Sequence, residues 1–486
     1  MSSPTDILTN PSEWPASFPN PEVATRVLTY LFDSESKVGI FVNFVKKNFP
    51  KALVKVVKDD KGYTNVTITQ TSNEFAPPSQ AFIAEQELKY SNLSDIYEVD
   101  SSPPVQSKFV PPTQEFIDEL KAKYSNLSNI YAVNKPPQQQ QANVEQSSSS
   151  QYVSYNIAQL QTAYQYNGIQ NQVFVTKPLI AIVIFGSYSG LQSDFDLFCQ
   201  NNNLPPYTLN IIPINNPPAE SQAEMCIDTQ LAYGMCPGAD ILVVQAESSS
   251  AQDLVTAVSV ALTYNPQVLN MSLGFTEFKE EVEDNALDYI NYNTIYIAAT
   301  GDDNSVQWPS VNPNVLAVGA TTLYTNSDGS ISSQSTWSST GCGPSEYFPI
   351  PSYQSQYTDL QSTSRNTCDI SYVGNPDTGV QIYYNGEMGV YGGTSVAAPL
   401  MSGMLAIVNG IRINNGLSVI NSASNSSLGF QNILYSNYAS NGSQLFYDVT
   451  EGTSGAYSAT TGWDIPTGLG TPYGEAVVNF LAGYNA

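Results

Sequence analysis

Five short, uninterrupted apolar runs constrain this chain more than any other feature: LIAIVIFG (Leu179–Gly186), ADILVVQ (Ala239–Gln245), VLNMSLG (Val268–Gly274), TIYIAATG (Thr294–Gly301) and VLAVGATTL (Val315–Leu323). A strand with one wet face alternates apolar and polar residues. These runs do not alternate, so both of their faces must be covered. Segments with helical spacing separate them, and strands joined by helices pair in parallel. The expectation is an α/β fold of three layers, a mostly parallel sheet between two layers of helices. Ligands in such sheets bind beyond the carboxyl ends of the strands, so the chemistry is expected just after the runs.

Upstream lies KPPQQQQANVEQSSSS (Lys135–Ser150), too poor in apolar side chains to pack and therefore read as a linker. The expected organisation is a small α/β domain at 1–134, a linker at 135–154 and the large domain at 155–486. Within the first part, PEVATRVLTYLF and VGIFVNFVKKNF have helical spacing, while ALVKVVKD and TNVTITQ alternate like strands. FAPPSQAFIAEQELKYSNLSDIYEVD (Phe75–Asp100) then recurs as FVPPTQEFIDELKAKYSNLSNIYAVN (Phe109–Asn134). Each copy predicts a PP entry, a short amphipathic helix and an extended IYxV end. Two copies are too few for a solenoid.

Composition limits the chemistry. None of the 486 residues is histidine, which excludes Ser-His-Asp hydrolysis, Cys-His proteolysis and His-ligated zinc. Proton transfer must fall to carboxylates. A formal charge of −26, from 43 Asp+Glu against 17 Lys+Arg, argues against a nucleic-acid partner. Charged residues are only 12% of the chain, compatible with an acidic medium. Five irregularly spaced cysteines form neither a disulfide framework nor a zinc ribbon, though one or two bridges are open to them. No stretch reads as a membrane span, and the N-terminus has no secretory signal pattern. Six sequons, at Asn65, Asn92, Asn126, Asn270, Asn425 and Asn441, matter only in a secretory compartment.

Three strings carry candidate chemistry. In VYGGTSVAAP, Gly392 and Gly393 permit close backbone approach, and Ser395 sits at a turn opening a small-residue helix, where its N–H can meet a developing oxyanion. In ESQAEMCIDTQ, Glu224 and Asp228 at i,i+4 share one helical face; carboxylates that close resist ionising together and one pKa rises. Solvated i,i+4 carboxylates are also common. In TIYIAATGDDN, Asp302 follows an apolar strand and a glycine, where a carboxyl can donate to an oxyanion or merely cap a turn.

Together with YNIAQLQTAY, SLG at Ser272–Gly274 and DVT…GWDxxTGLGTP, in fixed order, these strings resemble the sedolisin family, the serine-carboxyl peptidases of subtilisin-like fold. The resemblance covers roughly 330 residues, about Tyr155 to the C-terminus. It implies Ser395 as nucleophile, Glu224 as its general base, Asp228 as partner of Glu224, Asp302 as oxyanion stabiliser, and Ser272 and Gly274 in substrate binding. It also implies one structural calcium ion, held by Asp448 and Asp464 through their side chains and by Val449, Thr460 and Gly462 through carbonyls. Hard oxygen donors of this kind suit calcium rather than zinc. The N-terminal region would be a prosegment, removed by cleavage between about Lys135 and Tyr155.

Two departures from the family pattern stand out. Its SGDxG is TGDDN here, and its R-x-x-P-D is Arg365-Asn-Thr-Cys368-Asp369. The duplication is not expected of the family. The function implied is an acid-active serine-carboxyl endopeptidase, with tripeptidyl-peptidase activity also open to it, expected to be monomeric, acting on peptides or proteins and on its own prosegment in an acidic extracellular or lysosome-like compartment. The alternative is an inactive, calcium-stabilised relative on the same scaffold. A third string, Asp377-Thr-Gly379, matches aspartic peptidases, but its single copy follows Asn-Pro and reads as a turn.

Overall fold

In the computed structural model the apolar runs become the central strands. The structure describes residues 109–133, 153–219, 223–283, 293–357 and 362–485, with strand backbone also at 7–8, 26–32, 53–58, 64–70 and 138–139. It divides into two compact units, Met1–Lys108 and Phe109–Ala486.

In the larger unit the central strands are β1 (Leu179–Phe185), β2 (Asn210–Pro213), β3 (Asp240–Ala246), β4 (Val268–Met271), β5 (Ile295–Ala299), β6 (Leu316–Thr325), β7 (Ile331–Thr336) and β8 (Ile370–Val373). Their order is β7-β6-β5-β4-β1-β3-β2, with β8 also on β6. Every pairing is parallel except β6 with β7. The helices used below are α1 (Gln114–Lys123), α2 (Leu191–Asn201), α3 (Glu224–Met235), α4 (Ala251–Leu262), α5 (Thr394–Asn414) and α6 (Gly474–Ala482).

Alternation of side chains along β1 explains the continuous apolar run. Ile180, Ile182 and Ile184 enter a core with α2, α3, α5 and α6, while Leu179, Ala181 and Val183 enter a second core with α1 and α4. The predicted three layers are present. Helix α5 is long and apolar enough to cross a membrane, which the sequence reading overlooked; it is buried through most of its length inside the unit. Core helices of soluble domains pass the same hydropathy test.

Several expectations are corrected. Arg26–Phe32, read as part of a helix, is a strand paired antiparallel with Thr64–Gln70, which pairs in turn with Leu53–Lys58. A seven-residue apolar stretch fits both periods, and the sheet neighbour decides. VGIFVNFVKKNF and the first repeat lie outside the described residues. The second repeat forms α1, a 3-10 turn at Ser125–Leu127 and an extended end, as expected, but within the larger unit. The linker is not wholly unpaired: Gln138–Gln139 lies antiparallel to Tyr391–Gly392. All five cysteines are free and buried, and Asn270 is buried in β4, unavailable to a glycan. Asp377 lies in a 3-10 turn at Pro376–Thr378, as a turn reading requires.

Candidate active site

One pocket lies at the carboxyl ends of β1, β4 and β5, and its lining includes Glu224, Ser272, Gly274, Asp302 and Ser395. The connections that leave β1 and β4 run toward opposite edges of the sheet, so the boundary between these two strands is a switch point, where open parallel sheets leave a crevice.

Ser395 is the second residue of α5, half-buried at the helix's amino end. The preceding Gly393 has φ +123, and a Cβ there would lie 2.7 Å from Asp302 Oδ2, so only glycine fits between serine and carboxylate. Asp302 follows β5. Its Oδ1 accepts hydrogen bonds from Thr394 N–H (2.8 Å) and from the Thr394 hydroxyl (2.9 Å). Those bonds fix the carboxyl against the start of α5. The TGDDN departure has a simple backbone explanation: Asn304 holds φ +63, a left-handed conformation that asparagine adopts more readily than other side chains and that glycine adopts freely.

Glu224 opens α3 and Asp228 follows one turn later. Asp228 is fully buried, and its Oδ1 accepts from the Ser272 hydroxyl at 2.6 Å. Asn270 donates to that hydroxyl (3.1 Å) and accepts from Ser402 of α5 (3.0 Å). Glu224 Oε1 and Asp228 Oδ2 are buried and meet no donor. Two carboxyls buried one helical turn apart resist ionising together, which favours keeping a proton on one of them. Burial, then the Asp228 charge, pushes Glu224 well above the usual carboxylate range; the facing Ser395 hydroxyl pulls it back, and Asp302 pushes it up. Burial likewise raises Asp228, opposed by its bonds to Ser272 and Asn270.

Sequence reasoning gave no role to Thr394, Asn270 or Ser402. Their roles come from hydrogen bonds between distant segments, for which no local pattern exists. Ser272, expected at the substrate, turns its hydroxyl to Asp228. Gly274 presents its carbonyl instead, and the N–H of Val133 donates to it at 2.8 Å.

The segments expected to hold a metal lie elsewhere. Gly462 N–H donates to both oxygens of Asp448 (3.1 Å each), and Thr460 N–H donates to Asp464 Oδ2 (2.9 Å). Asp464 is 5% exposed, and the charge of Asp448 adds to the burial that raises its pKa. Among the described residues no group of three or more His, Cys, Asp and Glu side chains converges to hold a metal, so an ion here would rest on these two carboxylates and on backbone carbonyls, the donor set a hard divalent cation takes. In the other departing segment, buried Arg365 forms paired bonds to Asp369 (2.8 and 2.6 Å), and Tyr435 donates to the same carboxylate (2.9 Å). This pair anchors the start of β8.

Comparison with known proteins agrees with this architecture. The subtilase family profile matches residues 215–453. Sedolisin from Pseudomonas sp. (strain 101) is 30% identical over 339 residues, 60% of this chain and 56% of that protein. Kumamolisin from Bacillus sp. (strain MN-32) is 28% identical over 386 residues, 70% of this chain and 65% of that protein. The solved structure of Pseudomonas sedolisin, a serine-carboxyl proteinase complexed with two molecules of pseudo-iodotyrostatin, is 28% identical with a TM-score of 0.58, covering 68% of this chain and 99% of that one. The chain thus spans somewhat over half the length of these two curated relatives.

Proposed function

The chain belongs to the sedolisin family, of subtilisin-like fold, and on that premise we propose that it is an acid-active serine-carboxyl peptidase made as a self-processing precursor. One observation carries the reading. A serine at a helix start shares its pocket with Glu224, which has Asp228 one helical turn behind it, and with the fixed carboxyl of Asp302.

In this reading Ser395 Oγ adds to the scissile carbonyl carbon and its proton passes to Glu224. The carbonyl electron pair moves onto oxygen, where the helix-start N–H groups and the Asp302 carboxyl stabilise it. Collapse breaks the C–N bond, and the amine leaves with the proton from Glu224. Water then cleaves the acyl-enzyme by the same transfers. Asp228 touches no substrate; held by Ser272, it positions Glu224 and shares its proton.

Self-processing is supported by how the chain meets its own pocket. Val133 hydrogen-bonds to Gly274 on one rim, and Gln138–Gln139 pairs with Tyr391–Gly392 on the other, immediately before Gly393 and Ser395. Backbone pairing of this kind is how extended peptides are gripped irrespective of sequence. One calcium ion would be held by Asp448, Asp464 and the carbonyls of Val449, Thr460 and Gly462, tying down the last loop without entering the chemistry.

A peptide-library digest from pH 2 to 7 tests the assignment. Wild type should cleave in acid; Ser395→Ala should leave neither peptide cleavage nor shortening of the chain. Glu224→Gln should lower kcat/KM by ~10²- to 10⁴-fold, the usual worth of a general base. Undiminished turnover in Ser395→Ala would sink the proposal.

A further inference from the structure

We propose that residues 109–133 are a permanent wall of the cleft, kept on the larger unit when the chain is cut downstream of them, and that this wall limits a substrate to a short acyl side. The wall itself stands on packing; its effect on substrates rests on the proposed peptidase function. The segment is held along its length. The ring of Phe109 lies 5.2 Å from that of Tyr264, whose hydroxyl donates to the Val110 carbonyl. Ile117, Tyr124 and Leu127 are buried in the core that α4 helps to form. Lys121 forms ion pairs with Glu247 and with Asp253 (2.9 Å), and Gln252 of α4 donates to the Lys121 carbonyl at 2.6 Å. At the extended end Ala251 N–H donates to Ile130 (2.7 Å) and Ala132 N–H to Ser249 (2.8 Å).

None of these contacts depends on the covalent link beyond Val133. Taking the segment away would return three core side chains to water, together with the face of α4 that covers them. A cut in the linker therefore leaves the segment where it is, contrary to the expectation that everything before the linker departs as prosegment.

The wall ends in the site. Val133 lines the pocket containing Ser395, and its N–H donates to the Gly274 carbonyl (2.8 Å). An extended substrate pairing with that rim needs the same carbonyl, and one strand there excludes another. On the opposite rim Gln138–Gln139 pairs with Tyr391–Gly392. The chain thus runs from the Gly274 rim to the Gly392 rim, and a substrate gripped in the same sense turns its acyl side toward Val133. Four residues separate Val133 from Gln138, so a substrate spanning that gap places at most four before the scissile bond. The substrates that fit are polypeptides cut close to a free amino end.

Hydrogen exchange of the full Ser395→Ala chain at pH 4 reads the wall without turnover. Residues 114–123 should exchange within tenfold of 251–262, and a larger gap overturns the proposal. Once wild type has shortened itself in acid, the piece holding 109–133 should elute with the rest in gel filtration and separate only in urea; an active chain free of that piece overturns the proposal as well. The acyl-side limit is read on peptides that share one cleaved bond and are extended stepwise at the amino end. Wild-type kcat/KM should fall at least tenfold once five or more residues precede the bond. Lys121→Glu and Ile117→Ala, two independent ways of loosening the wall, should narrow that difference, so that one informs if the other impairs folding. Equal rates along the series in wild type, or an unaltered difference in both variants, overturns the limit. Failure of wild type to cut any member refutes the peptidase reading instead, and exchange still decides the wall.

Discussion

Replacing Glu281 by glutamine should remove one contribution that makes the folded state more stable at low pH than at neutral pH. Glu281 lies in the short helix Glu280–Glu283 and is 3% exposed. Its Oε2 accepts a hydrogen bond from Phe278 N–H at 3.2 Å. Glu277, which it faces, already accepts from the Ser345 hydroxyl and from Glu346 N–H. Glu281 can bond to that carboxylate only while it carries a proton. Burial first, then the Glu277 and Glu346 charges, pushes it up to about 9 from an ordinary 4.5. A carboxyl raised in the folded state stabilises fully below its unfolded pKa and loses that contribution as pH climbs through the folded one. Between those limits the folded chain holds one proton more than the unfolded chain, which withdraws about 1.4 kcal/mol per pH unit. From pH 5 to 7 the loss is roughly 3 kcal/mol. Glutamine keeps a donor toward Glu277 and cannot ionise. The assay is urea unfolding of Ser395→Ala with and without Glu281→Gln at pH 5, 6 and 7, followed by tryptophan fluorescence. Trp308, whose ring lies 5.2 Å from that of Phe278, reports locally. Glu224 and Asp228 titrate alike in both chains and cancel in the comparison. Stability curves of equal slope would refute the reasoning.

Two further outcomes follow from the sites. Asp302→Ala should lower kcat by ~10²- to 10³-fold with a smaller change in KM, because an oxyanion donor acts mainly in the transition state; steady-state kinetics on a peptide found in the library digest separate the two. Added calcium should raise the Tm of the Ser395→Ala chain and a chelator should reverse it, whereas Asp448→Ala should abolish the difference between the two scans.

How legible the molecule was in its sequence depended on range. The central strands were readable because burial on both faces writes itself into consecutive residues, and Ile180 and Ala181 had to be apolar for different neighbours. The pocket's place was readable because a parallel sheet leaves its crevice at the strands' carboxyl ends, and Glu224, Asp302 and Ser395 do meet there. Arg26–Phe32 was misread because seven residues cannot distinguish a helical stripe from a strand without their partner. The Asp228–Ser272–Asn270–Ser402 chain of bonds was invisible because it joins three elements distant in sequence. Gln138–Gln139 was dismissed on composition, yet β pairing draws on backbone groups that composition does not describe.

The absence of histidine and the state of the carboxyl pair belong to one physical argument. An imidazole with an ordinary pKa near 6.5 is almost wholly protonated at pH 4 and cannot accept a serine proton there. Two carboxyls that share one proton titrate as a pair: burial and mutual repulsion make them hold the first proton tightly, while the second binds only at lower pH, so the Glu224–Asp228 pair keeps one carboxylate able to accept the serine proton in acid. The same shift fixes the sign of the stability term. Folding binds the shared proton more tightly than the unfolded chain does, so the pair stabilises in acid and ceases to do so as pH rises through its folded titration. In the proposed mechanism a base suited to acid and a fold favoured by acid therefore arise from one buried proton, and Glu281 adds to the second effect without touching the first.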